Sequence, residues 1–483
     1  MTEMRRSSTE AIVVGSGPNG LAAAITLARS GVSVTVFEAS DKPGGGCRSE
    51  ELTGPGYVHD TCSAIHPLAA ASPFFKSIPL RDLGVDLIQP PAALAHPLDG
   101  GRAVVLERSI DATAAEMGND AQAYRELMTP LVHNVDALVA DFMGPLRFPR
   151  HPLPFTSFGL KALRSASGFA RSRFDEPEAR ALFAGIAAHS FLPLTALTTA
   201  AYGLMLAAIG HAIGWPLPRG GSQRITDALV AELTSLGGRI EANHRVTDID
   251  ELPPAAAYLF DVTPKQLLAI AGKRLPDRYR RKLERYRYGP GVFKIDYALA
   301  EPVPWTAPGC SRAGTVHLGG TLDEIAVSEQ TTADGLYADR PYVLVAQQSL
   351  FDDSRAPHGK HTLWAYCHVP SGSTRDMIEA VEGQLERFAP GFKDVVEQRH
   401  VMNPADLERR NANYVGGDIN GGLSDMRQLF TRPVARIDPY TTPCDDIYMC
   451  SSSTPPSGGV HGMCGYHAAR SVLKRSFGVA IPS

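Results

Sequence analysis

AIVVGSGPNGLAAAITLARSGVSVTVFE, residues 11–38, reads as strand, turn, helix and strand. Ala11–Val14 is a short apolar run, Gly20–Ser30 is rich in Ala and Leu, and Val32–Phe37 is β-branched. Together they predict one βαβ unit. The turn Gly15-Ser16-Gly17-Pro18-Asn19-Gly20 has GxGxxG spacing. In that spacing the first glycine permits a tight turn, the second lets a diphosphate approach the backbone, and the third lets helix pack closely on strand. Free N–H groups and the positive dipole end at the helix start then favour an anion. Glu38 closes the second strand eighteen residues past Gly20, near the spacing of about 20 at which an acid meets ribose hydroxyls. Gly15, Gly17, Pro18, Asn19, Gly20 and Glu38 are therefore expected to form a dinucleotide site.

Beyond Glu38 stands Gly44-Gly45-Gly46-Cys47-Arg48. It resembles the flavin branch of such folds, in which a Gly-Gly pair and an Arg follow the acid and approach the diphosphate. Arg48 would offer phosphate oxygens a planar cationic donor set. Trp215-Pro216-Leu217-Pro218-Arg219-Gly220-Gly221-Ser222 and Gly458-Gly459-Val460-His461-Gly462 extend the likeness. From about residue 11 to 475 the chain resembles the phytoene-desaturase-like family of FAD enzymes, within the flavin amine oxidase superfamily. It is most similar to a branch of pyridine nucleotide-disulphide oxidoreductase domain proteins, through Gly416-Gly417-Asp418-Ile419 and the segment Gln428 to Pro433. The resemblance implies FAD, with its adenosine diphosphate half on Gly15, Gly17, Gly20, Glu38, Gly45, Gly46 and Arg48 and its adenine against the Val246 backbone. The flavin end would lie along the loop that carries Ser452, Gly459, Val460 and Gly462. One departure stands out: where the family often has Cys-Gly-x-Gly-x-His-Pro-Gly-Gly-Gly, this chain has serines at Ser451, Ser453 and Ser457, which leaves the flavin contacts of that loop open.

A second strand-GxGxxG-helix unit is missing, which argues against a dedicated NAD(P)H domain and for electrons that come from an organic substrate. Cys47 sits where a redox disulphide begins in disulphide reductases, yet the partner position is Leu52, so a dithiol mechanism fails and Cys47 reads as a small buried residue. His59, His66 and His461 are the candidates for proton transfer, because imidazole titrates near neutrality, although a hydrogen-bonded structural role is the more common fate of such a histidine. No histidine or cysteine has metal-ligand spacing. Residues 181 to 218 carry no Asp, Glu, Lys or Arg and fit either a helical core or the wall of an apolar substrate tunnel. Just upstream, Lys161, Arg164, Arg171 and Arg173 lie among Leu160, Leu163, Phe169 and Phe174, a pattern compatible with peripheral docking on an anionic membrane.

At 483 residues the chain exceeds what one core usually supports, so two interleaved lobes are expected. The fold class is α/β: a discontinuous Rossmann-like FAD-binding lobe from 11–70, 218–290 and 440–478, and a mixed-sheet substrate lobe from 71–217 and 291–439, with an inserted helical region at 111–214. Gly84–Asp86, Arg102–Leu106, Val246–Ile249, Ala257–Phe260, Val292–Leu299, Tyr342–Gln347, Thr362–Val369 and Ile447–Cys450 read as strands, and a Pro-rich stretch at Gly144–Phe155 as a boundary or a surface crossing. A formal charge of −4 gives no reason to invoke nucleic acid. Seven scattered cysteines and a short polar N-terminus, Met1 to Glu10, fit a reducing cytoplasm and a frayed tail. The expected activity is removal of a hydride from an apolar small molecule onto FAD, forming or isomerising a double bond, with oxygen or a quinone as electron acceptor. Two alternatives stay open: a flavin amine oxidase that makes hydrogen peroxide, and a non-catalytic scaffold or chaperone-like module.

Overall fold

The computed structural model describes residues 10–145 and 148–479; Met1–Thr9 of the expected tail, and Leu146 and Arg147 of the Pro-rich stretch, lie outside them. The βαβ unit forms as its pattern dictates. Strand Glu10–Val14 leads through the glycine turn into helix Pro18–Ala28, and strand Ser33–Phe37 returns parallel to the first. Proline at the first helical position loses no hydrogen bond there and its fixed φ suits the helix. These two strands sit inside a five-stranded sheet in the order Ile447–Met449, Ala257–Phe260, Glu10–Val14, Ser33–Phe37, Arg239–Glu241. Every pairing in it is parallel, and the Val, Ile, Leu and Ala side chains of its four strands other than the edge strand Arg239–Glu241 are buried on both faces, as helix-covered parallel sheets require. The C-terminal helix Met463–Ser476 packs on helix Pro18–Ala28.

A second, seven-stranded sheet runs Val396–Met402, Gly291–Leu299, His361–Val369, Val343–Ala346, Ala313–Leu318, Ala92–Leu98, Arg102–Leu106. All its pairings are antiparallel except that between Ala313–Leu318 and Ala92–Leu98. One face, with Ile295, Tyr297, Val345 and Leu363, packs under helix Ile378–Phe388. The other carries Trp364, Tyr366 and Leu344 toward a helical layer that includes Pro177–Ala187 and Thr199–Ala212.

Three expectations are corrected. Val246–Ile249 is not a strand: it runs as extended coil into the short turn Ile249–Glu251, and the strand beside Ser33–Phe37 is Arg239–Glu241. Gly84–Asp86 is turn and coil, and the strand starts after it at Leu87–Ile88, paired with Leu217–Pro218. Gly144–Phe155 is more than a crossing, since helix Pro152–Ala162 begins inside it.

Candidate active site

The carboxyl ends of the parallel strands open onto one cavity of about 530 Å³, the place where open α/β sheets bind ligands. Its nucleotide end is built by the glycine turn. Gly15 has φ +101°, a left-handed conformation that side chains resist. Gly20 stands behind the wall, where a Cβ would lie 2.1 Å from the Gly15 carbonyl oxygen; its service is the close packing of helix on strand. Gly15, Ser16, Gly17, Pro18 and Asn19 face the cavity, as do Gly45, Gly46 and Arg48. Glu38 is fixed at the end of its strand: Oε2 accepts from the Ser16 N–H (2.9 Å) and Oε1 from the Ser40 N–H (2.8 Å). Val246 lines the same end, held near Glu38 by the His244 N–H, which donates to the Glu38 carbonyl at 2.8 Å. Arg48 Nε and Asn19 Oδ1 are buried with no partner among the described residues, as groups that await a polar ligand would be.

The loop that follows strand Ile447–Met449 forms another wall, with Ser451, Ser452 and Pro456 to His461 on the cavity. Serines in glycine positions here tie the loop down. Ser451 Oγ donates to the Val262 carbonyl (2.8 Å) and Ser453 Oγ to that of Gly421 (2.7 Å). The Arg432 guanidinium donates to the carbonyls of Ser452 (3.2 Å) and Gly422 (3.1 Å). Gly459 and Val460 face the cavity, whereas Gly462 caps helix Met463–Ser476 against Phe74, off the wall.

The far end is apolar and aromatic: Phe191, Tyr202, Met205, Leu206, Trp215, Leu344, Trp364 and Tyr366. Seven of these eight come from the uncharged stretch or from strand His361–Val369, where Trp364 and Tyr366 share a face and meet edge to face at 5.0 Å. Sheet register sets Lys294 opposite Tyr366 and Asp296 opposite Trp364. The two charges form a buried ion pair, and Lys294 Nζ sits 5.7 Å over the Trp364 ring. Other residues of the stretch 181–218, among them Leu182, Leu204 and Ile209, are ordinary core.

The three histidine candidates separate. His59 is away from the cavity, sharing a hydrogen bond with Thr53 Oγ1 (2.8 Å) and lying 3.6 Å from Asp296. His461 is on the wall, but both its nitrogens serve the loop: Nδ1 accepts from the Met463 N–H and Nε2 meets the Ser457 carbonyl, each at 3.0 Å. His66 is also on the wall, paired through Nε2 with Ser222 Oγ (2.8 Å), its Nδ1 without a partner among the described residues. Burial lowers His66 and His461 to about 4, so both are neutral and weakly basic near pH 7. Cys47 is buried, its thiol pushed up by that burial and donating to the Ser222 carbonyl at 3.3 Å; all seven cysteines are unpaired.

Sequence reading missed several wall residues. Asp261 follows strand Ala257–Phe260 directly and accepts from the Gly20 N–H at 2.9 Å; its place at a strand's carboxyl end was the available signal. Trp364, Tyr366, Tyr414 and Arg410 gave none, since register between distant segments brings them in. His189, beside His317 (Nε2 to Nε2 3.1 Å), is likewise a product of tertiary packing.

Residues 19–404 match the family of flavin containing amine oxidoreductases. The mouse pyridine nucleotide-disulfide oxidoreductase domain-containing protein 2 is 25% identical, over 96% of this chain and 93% of its own length. A phytoene desaturase (neurosporene-forming) from Rhodobacter capsulatus is 25% identical, over 96% and 94%. Among solved structures, an oxidoreductase from Methanosarcina mazei superposes with a TM-score of 0.65 at 16% identity, covering 96% of this chain and all of that one. A putrescine oxidase bound to putrescine gives 0.62 at 19%, covering 96% and 99%. The glycine cradle, the fixed Glu38 and the unpartnered Arg48 and Asn19 atoms fit the flavin nucleotide that this match implies. The chain belongs to the flavin containing amine oxidoreductase family and is an FAD-dependent oxidoreductase.

Proposed function

We propose that this enzyme dehydrogenates an apolar small organic molecule, forming a carbon–carbon double bond, with oxygen or a quinone as the final acceptor. The observation that carries this reading is where the cavity keeps its carboxylates. Among the wall residues these are Glu38 and Asp261 alone, both at the nucleotide end. A cationic amine at the aromatic end would meet no anion, whereas an apolar skeleton would be desolvated there at little cost. Bound FAD supplies the hydride acceptor. The protein's part is to orient: Gly15, Gly17, Pro18, Asn19, Gly45, Gly46 and Arg48 hold the diphosphate, Glu38 the ribose, Val246 the adenine, and Ser452, Gly459 and Val460 the flavin end. Phe191, Trp215, Trp364 and Tyr366 position the substrate and exclude water. His66 and His461 are too weakly basic to take a proton from carbon near pH 7, which favours direct hydride loss from an activated C–H bond.

In this reading residues 11–70, 218–290 and 440–478 form the FAD lobe, and 71–217 with 291–439 the substrate lobe. Near the cavity's helical side a surface of exposed apolar groups supports contact with a lipid phase. Phe148 and Leu153 are each 84% exposed, Leu160 71% and Leu197 54%. Of the four cations, Arg171 pairs with Asp323 and Arg173 with Glu126, while among the described residues Lys161 and Arg164 meet only neutral groups, Ser157 for the first and Gly168 and Ser172 of helix Ala166–Arg173 for the second. Among the described residues no helix is long and apolar enough to cross a membrane.

A second reading, amine oxidation, draws on the Trp364–Tyr366 pair, because two aromatic rings can flank a neutral amine. Anaerobic mixing decides between them. Bleaching of the flavin near 450 nm, at about the wavelength of its main visible band, by polyene or alicyclic substrates and not by primary or secondary amines supports dehydrogenation. Bleaching by amines alone, with hydrogen peroxide on admission of air, overturns it.

A further inference from the structure

Asp261 places a carboxyl group inside the cradle expected to hold a diphosphate. It is half-buried, its accessible part turned to the cavity. Its Oδ2 accepts from the Gly20 N–H at 2.9 Å and lies so close beneath the turn that a Cβ on Gly17 would be 2.7 Å away. The same helix start is the natural anion site of the fold, so the Asp261 carboxylate and the cofactor's phosphates would compete for one positive pole.

Charge arithmetic makes that competition severe. An ionised Asp261, Glu38 on the neighbouring strand and a doubly charged diphosphate would bring four negative charges to a wall whose arginines are Arg48, Arg245 and Arg410. The neighbours on other elements do not relieve it. The Cys450 and Cys464 thiols, beside Asp261 at the C-terminal strand and helix, are pushed up by burial and stay neutral. Burial raises the Asp261 carboxyl well above the usual range; the Gly20 N–H opposes the rise and the Glu38 charge adds to it.

We infer that Asp261 takes up a proton from solvent when FAD binds, and that the neutral acid faces the diphosphate as a hydrogen-bond donor. The deprotonated form then holds FAD less well. This rests on the FAD assignment and adds to it a role for one residue of this chain. The sign follows from linkage. If only the protonated form binds tightly, affinity is constant below the Asp261 pKa of the free protein. It then falls by up to about tenfold per pH unit until the pKa of the complex is reached.

Isothermal titration of the apoprotein with FAD, in buffers of differing ionisation enthalpy between pH 6 and 8.5, reads the proton directly. The expected result is uptake of up to about one proton per FAD by the natural chain, and uptake near zero with a flat pH profile for Asp261→Asn, which keeps an oxygen for the Gly20 N–H. FAD binding without proton uptake by the natural chain overturns the inference and leaves the cofactor intact, whether or not the variant folds. Equal uptake by natural chain and variant assigns the proton elsewhere and also overturns it. Failure of FAD to bind at all overturns the cofactor assignment, and the inference falls with it.

Discussion

Ser457 shows what a single residue contributes to this site. It stands on the cavity wall with φ +107°, a backbone that costs a non-glycine residue on the order of 1–2 kcal/mol. Its carbonyl receives His461 Nε2, and its hydroxyl reaches Ser424 Oγ at 3.2 Å. Ser457→Gly removes the strain and one weak hydroxyl contact, at the entropic cost glycine brings. The net gain expected is about 0.5–1 kcal/mol in urea unfolding of the holoprotein; a loss of that size would show that the hydroxyl, not the backbone, matters most. The places of Gly15 and Glu38 on the cavity wall were legible because they follow from local spacing, and that of Arg48 through the family resemblance. Sequence alone could not make Trp364, Tyr366 or Lys294 legible, because their shared face depends on the pairing of strands about seventy residues apart.

Between elements, the decisive contact is a buried charge network. Asp60, at the end of strand Val58–Asp60, accepts from Arg355 Nη2 (2.6 Å), Ser49 Oγ (2.7 Å) and the Ser222 N–H (2.8 Å). Arg355 Nε also donates to Asp352 (3.0 Å), whose Oδ2 accepts from the Gly220 N–H (2.7 Å). The Trp215–Ser222 motif is thereby tied to both a neighbouring hairpin and the seven-stranded sheet's 348–355 connection. Burial alone would raise Asp60, but the Arg355 guanidinium and its hydrogen bonds outweigh it and hold the carboxyl below the usual range. A depressed carboxylate contributes stability that is present above its unfolded pKa of about 4 and lost as pH falls through the folded value. Arg355→Met leaves that charge buried and unpaired, so a loss of about 3–5 kcal/mol at pH 7 is expected, shrinking in acid. A variant as stable as the natural chain would mean that Asp60 is solvated or protonated.

At this scale the strand readings succeeded where β-branched runs were bounded by turns, as at Arg102–Leu106 and Ala257–Phe260. They failed at Ala92–Leu98, whose Ala and Pro97 lack strand propensity. Pro97 is accommodated because the parallel partner strand pairs only as far as Ala95. Val246–Ile249 misled through its β-branched residues, where Asp248 accepts from the Asp250 N–H at 2.9 Å and turns the chain.

For the whole molecule, the arrangement of a nucleotide sheet, an aromatic chamber and an exposed apolar surface predicts where substrate enters. Leu153→Asp with Leu160→Asp changes two side chains that make little packing contact, so folding and FAD content should be unaffected. Sedimentation with vesicles of phosphatidylcholine and phosphatidylglycerol should show the natural chain bound and the double variant weakened by at least about tenfold, given the loss of two exposed leucines that would insert into the lipid and the added negative charge. Equal sedimentation of the two, or none by the natural chain, removes the membrane from the account and leaves the chemistry standing.

The central claim is that the glycine cradle, Glu38 and the 452–462 loop hold FAD for oxidoreduction. The most direct measurement is the visible spectrum of the purified protein, followed by heat release and identification of the chromophore. The account predicts bands near about 370 and 450 nm, a released molecule that is FAD rather than FMN, and about one per chain after reconstitution. A colourless protein that takes up no added FAD would contradict it.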